Sequence, residues 1–196
     1  MSFFDETKNF GLVLLIVSLA GIILDLIFMF VEIGGTKTPI IAGVGSIIGE
    51  LIVAIYAYGV YTGEYLIPID RFLDDAASKF GVIKGFVSVY AISSIVDAIF
   101  TLVGGIINNN MGGVISSIVI SLIIAALCIF AVLKMSDGTV GTADKVIYYV
   151  LMVLFILMII LGILSLIVIV GIIPLIEGIM LLVMLVSPEV KEKFGV

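Results

Sequence analysis

The chain has 196 residues, 63% of them hydrophobic and 12% charged, with a mean hydropathy of +1.44. A soluble domain is about 45–50% apolar, so this composition excludes an ordinary soluble fold, and recurring apolar runs of bilayer-crossing length indicate one polytopic integral membrane domain over 1–196. The net charge of −6 argues against nucleic acid as a partner, and the absence of histidine removes the usual proton shuttle and zinc ligand.

The first apolar run covers 10–32. It lacks a basic leader and a short apolar core, so it reads as a retained helix and not a cleaved signal. Its midst holds Asp25, one turn beyond Gly21 and two beyond Ser18. The second run, 40–61, carries Glu50 on a stripe with Gly43, Ser46, Ala54 and Ala57. Gly45 and Gly49 add a GxxxG pair, which lets membrane helices approach closely.

Between the second and third runs lies the longest connection. Pro68 suits a first helical turn, and Phe72, Leu73, Ala76, Ala77 and Phe80 repeat at helical spacing. A short amphipathic helix on the membrane surface is expected over 68–80, either as a plain linker or as a docking element.

The third run, 83–106, places Tyr90, Ser93 or Ser94, Asp97, Thr101 and Gly104 on one face. The fourth, 113–133, has no acid, yet Gly113, Ser117, Ser121, Ala125 and Cys128 form a matching face. The stretch 146–187 holds no basic residue. As one helix it would be about twice the hydrocarbon thickness, so it divides into a hairpin of two short helices, 146–165 and 169–187, turning near 166–171. Pro174 lies one turn before Glu177. It implies either a kink that frees backbone carbonyls or a proline in the first turns of the last helix. Ser187-Pro188 marks a stop, and the basic tail beyond it anchors to the surface.

The expected fold is therefore all-α: a six-helix transmembrane bundle of three hairpins. Lys8, Arg71, Lys79, Lys84, Lys134, Lys145, Lys191 and Lys193 fall on one side of it and Lys37 alone on the other. This asymmetry places both termini in the cytoplasm, most simply of a prokaryotic plasma membrane. The first two hairpins read as parallel repeats. Asp25-Leu26-Ile27-Phe28 matches Asp97-Ala98-Ile99-Phe100, and Gly43-Val44-Gly45-Ser46 matches Gly113-Val114-Ile115-Ser116.

Four acids then share one level. At about 1.5 Å per residue, Asp25 and Asp97 lie within roughly 6 Å of their helix centres, and Glu50 and Glu177 lie at theirs. Each costs about 2.5–3.5 kcal/mol at a helix centre, so intramembrane carboxylates mark functional sites by default. They can stay protonated and donate to serines, share a proton or a metal cation, or bind a cationic ligand. Asp25, Glu50, Asp97 and Glu177 are the candidate ion- or substrate-binding residues, supported by Ser18, Ser46, Ser93, Ser94, Thr101, Ser117, Ser121 and Pro174. No cofactor and no dedicated metal site is expected. Histidine-dependent hydrolase chemistry is excluded and no nucleophile or P-loop motif occurs, so the chain is read as a non-enzyme.

Two functions fit. One is a small multi-pass transporter or channel-like protein for protons, a cation or a cationic solute. The other is a non-catalytic membrane subunit or scaffold, docking a partner subunit or a second copy of itself through its lipid-facing surface, with the acids protonated and structural.

Overall fold

Runs of apolar residues this long must satisfy every backbone polar group internally, and helices do so within a single segment. The computed structural model describes residue 3 and residues 6–32, 37–64, 78–166 and 171–196, and all their regular structure is helical. The helices are α1 (Thr7–Phe30), α2 (Ile40–Thr62), α3 (Lys79–Ile107), α4 (Met111–Met135), α5 (Thr142–Ser165), α6 (Ile172–Leu185) and α7 (Pro188–Phe194). The first five are each long and apolar enough to cross a bilayer; α6 and α7, bent by 71° at their junction, count together as a sixth such segment. The protein is a helical membrane bundle.

Small residues set the helix spacings. A Cβ on Gly11 of α1 would lie 2.5 Å from the backbone nitrogen of Tyr61, so the start of α1 touches the end of α2 backbone to backbone. Gly43, near the start of α2, packs on Met29 at the end of α1, which makes the pair antiparallel. The GxxxG face of α2 turns to α3 instead: Gly45 meets Phe100 and Gly49 meets the Ser93 side chain. In the third hairpin, a Cβ on Gly162 would sit 2.6 Å from the Leu175 nitrogen, and one on Gly178 would sit 2.9 Å from the Phe155 carbonyl oxygen. The α5–α6 hairpin otherwise meets the rest of the bundle sparingly, chiefly through α6 against α1 and α3.

One end of the bundle gathers the starts of α1, α3 and α5 and the ends of α2, α4 and α6. The packed core lies in this half: Phe10, Tyr56, Ile83, Phe86, Tyr148 and Leu185 belong to one buried cluster. The Tyr56 hydroxyl donates to the Val82 carbonyl at 2.6 Å, tying α2 to the first turn of α3. Helix α7 closes the same end. Its Phe194, 1% exposed, lies 5.3 Å from the Phe80 ring and 5.7 Å from the Tyr148 ring. Its Glu189 accepts from the Lys79 backbone N–H at 3.1 Å, next to Ser78, which caps α3 through the Gly81 N–H. Basic residues collect here too. Lys8 lies over the Tyr61 ring, and Lys84 and Lys193 line one shallow cavity with Ser78 and Ser136.

Several elements differ from what periodicity suggested. Ser187-Pro188 does end α6, and the tail beyond it is itself helical: Pro188 occupies the first turn of α7, where its missing N–H costs nothing. Helix α5 is full length, starting at Thr142, because Asp144 turns back to accept the Gly141 N–H at 2.8 Å. Of the two helices expected to be short in this hairpin, α6 alone is, its 14 residues reaching roughly 21 Å. Pro174 is the third residue of α6, within its first turn, so of the two expected roles it takes that of a proline at a helix start. The expected surface helix 68–80 lies outside the described residues as far as residue 77, and the expected turn at 166–171 lies outside them at 167–170.

Candidate functional site

The half of the bundle opposite α7 contains the acids. Asp25 comes from the second half of α1, Glu50 from the first half of α2 and Glu177 from the first half of α6. All three line one cavity of about 360 Å³, together with Gly21, Ser46, Tyr90 and Pro174. The remaining wall is apolar, with Leu24 and Phe28 of α1 and Met158 and Leu161 of α5 among its members. Among the described residues no lysine or arginine lines it.

Each acid reaches the cavity for a local reason. Glu50 fits because α1 leaves out a side chain opposite it: a Cβ on Gly21 would lie 3.0 Å from the Glu50 carboxyl carbon. Ser18, fully buried one turn earlier, lies beside the same carboxylate. Neither Ser18 Oγ nor Glu50 Oε2 has a hydrogen-bond partner of ordinary geometry among the described residues. Glu177 is held inward because its neighbour Gly178 lets α6 press onto α5. It is 8% exposed. Asp25 is half-buried and near enough to both Glu50 and Asp97 for their charges to repel.

Asp97 stands apart from the other three. It does not line the cavity; its Oδ2 accepts from Ser121 Oγ of α4 at 3.1 Å. The fourth helix therefore holds one of the four acids with a hydroxyl from its own small-residue face. Ser46 faces the cavity, and Ser93 packs against Gly49. Ser94 and Thr101 are half-buried on α3 without lining the cavity, and Ser117 is exposed.

Tyr90, on the α3 stripe, is a cavity residue beyond the candidate set. It lines the acid cavity and also an adjoining apolar one. Met158 and Leu161, also shared by the two cavities, carry no sequence signal, since an apolar residue on α5 is equally suited to lipid. Among the described residues no group of three carboxylate or thiol side chains converges closely enough to hold a metal ion. The arrangement is a carboxylate-lined, partly apolar chamber between α1, α2, α3, α5 and α6.

No protein family matches the chain, and neither the curated proteins nor the solved structures contain a significant match to it. The functional reading therefore rests on the site itself.

Proposed function

We propose that this protein is a small multi-pass membrane transporter or channel-like protein, non-enzymatic, whose interior carboxylates bind protons, a cation or a cationic solute. One observation carries the reading: Asp25, Glu50 and Glu177, from three separate helices, line a cavity of about 360 Å³ that no basic residue among those described enters. Uncompensated charge in a membrane interior is costly, and a cationic ligand offsets that cost while a proton competes for the same oxygens. Asp97 tunes the site from the flank through its repulsion of Asp25.

The orientation follows from charge. Lys8, Lys79, Lys84, Lys134, Lys145, Lys191 and Lys193 belong to the end of the bundle that α7 closes, and the positive-inside rule assigns that end, with both termini, to the cytoplasm. The acid cavity then lies toward the outer leaflet, above a packed cytoplasmic core. The α1–α2 and α3–α4 hairpins are proposed as parallel repeats, placing Asp25 and Asp97 at equivalent positions. A prokaryotic plasma membrane is the proposed location.

The test is flux. Reconstituted in liposomes, the protein should move protons or an organic cation, and the combined replacement Asp25→Asn, Glu50→Gln, Asp97→Asn and Glu177→Gln should abolish that movement. Unchanged flux in a folded quadruple variant rules the reading out.

A second reading, a non-catalytic subunit that docks a partner, is favoured by α4. Of its 25 residues only Ala125, Cys128, Ala131 and Met135 are buried, leaving Ile120, Leu127 and Phe130 on an open face. A stoichiometric partner in mild detergent, lost on mutation of Leu127 and Phe130, would support it. Phe80 is unsuited to that role, being packed on Phe194.

A further inference from the structure

The acid cavity does not end at its apolar wall. A second cavity of about 190 Å³ adjoins it, lined by Phe86, Ile124, Cys128, Leu151, Leu154 and Phe155, with no charged residue among those described. Tyr90, Met158 and Leu161 line both. The Tyr90 ring stacks on Phe86, centroids 5.7 Å apart and planes 15° apart, so an aromatic surface continues from one chamber into the other.

The two chambers make different demands on an occupant. Glu177 is 8% exposed, lines the acid cavity and makes no hydrogen bond to any described residue, so a buried carboxylate points at the space without a protein partner. The acids surround the cavity without converging as metal ligands do. That spacing suits a bulky cation whose charge is spread over its surface, and a tyrosine face adds cation–π attraction for such a group. The adjoining chamber offers only apolar contact. A phospholipid filling both would bring its phosphate among carboxylates with no lysine or arginine at hand among the described residues, so charge disfavours it.

Building on the proposed function, we infer that the ligand is a lipophilic monocation, with its ammonium-like head among Asp25, Glu50 and Glu177 and its apolar tail running past Tyr90 into the chamber between α3, α4 and α5. Head and tail are recognised by separate groups, so they can be tested separately.

The experiment uses the full chain in lipid nanodiscs and two probes, tetramethylammonium and n-octyltrimethylammonium, each corrected for uptake by protein-free nanodiscs. A methylene moved from water into an apolar site is worth about fourfold in affinity, so the octyl probe should bind at least about tenfold more tightly. Glu177→Gln should weaken both probes. Ile124→Phe, which fills the apolar chamber, should bring the octyl probe down to the level of tetramethylammonium and leave the latter unchanged; Leu154→Phe serves if Ile124→Phe lowers thermal stability. Equal affinity for the two probes overturns the inference while cation binding stands. A tail preference that survives both phenylalanine variants also overturns it, placing the tail elsewhere. Failure of both probes to bind overturns this inference, while the proposed function, which includes protons, is decided separately by the flux assay.

Discussion

The carboxyl carbon of Glu50 sits 3.0 Å from where Gly21 would carry a Cβ. Two helices thus share one space: α1 omits a side chain at the height where α2 supplies an acid. The pocket for the Glu50 carboxylate is made by the absence of atoms on a neighbour, and it places a charge-bearing group against helix backbone with Ser18 beside it.

Substitution at Gly21 should separate binding from stability. In Gly21→Ala the Glu50 carboxylate, the far end of a flexible side chain, has to move only a few tenths of an ångström. The variant should keep the melting temperature of the wild type yet bind a cationic probe several-fold more weakly. Gly21→Leu should also destabilise, by about 1–3 kcal/mol. Gly112→Ala, where a Cβ meets nothing within 4 Å, is the control and should change neither quantity. Equal binding by Gly21→Ala and wild type in an equilibrium titration would show that the Glu50 position is immaterial.

Cation affinity should fall as pH falls. The sign follows from charge alone: a carboxylate attracts the cation, a carboxylic acid does not, and lower pH converts one to the other. The groups lining the cavity are Asp25, Glu50 and Glu177, with Tyr90 on the α3 side; Asp97 lies behind them, near Asp25. In the quadruple amide variant the residual pH dependence should vanish. Binding measured from pH 8 to pH 5 checks both parts, and an affinity that rises on acidification contradicts the site.

Helix α7 should be structural. Phe194 is 1% exposed between Phe80 and Tyr148, so Phe194→Ala should cost about 3–5 kcal/mol. Glu189→Ala removes only an exposed acceptor at the start of α3 and should cost about 1 kcal/mol or less. Denaturant unfolding in mixed micelles measures both. A tail that merely rests on the membrane surface would lose almost nothing on Phe194→Ala.

The turn between α4 and α5 should be acid-sensitive in a narrow window. Lys134 Nζ donates to Asp137 at 2.9 Å, and the Thr139 N–H and hydroxyl donate to the same side chain, holding its carboxyl down at about 2. A depressed carboxyl stabilises the turn above the ordinary carboxylate range near 4, and the contribution is lost as pH falls from there through about 2. Carbon-detected NMR of the Asp137 carboxyl should show a midpoint well below that of an unstructured aspartate, and Lys134→Met should move it upward.

Much of this protein was legible residue by residue. Apolar run length announced the membrane class and the first five helices to within about four residues at each end. The stripes at i, i+3 and i+4 spacing identified Ser18, Gly21, Asp25, Ser46 and Glu50 as inward-facing before any packing was known. Charged residues misled at the boundaries. Asp144 and Lys145 read as loop, yet Asp144 caps the turn that begins α5. Pro188 read as the end of a helix, and it is also the beginning of another. A proline forbids continuation of the helix before it and favours initiation of the next; local sequence supplies the first fact, and only a partner such as the Phe80–Tyr148 cleft supplies the second.

Hydrophobicity and its period are properties of a single helix, so the sequence by itself determined the class and the approximate spans. Which acids face each other depends on how helices rotate and approach, and that was decided by contacts between segments far apart in the chain. Gly21 admits Glu50, Gly178 seats Glu177, and Ser121 draws Asp97 aside; the cavity and its apolar annex are what those three contacts leave between them.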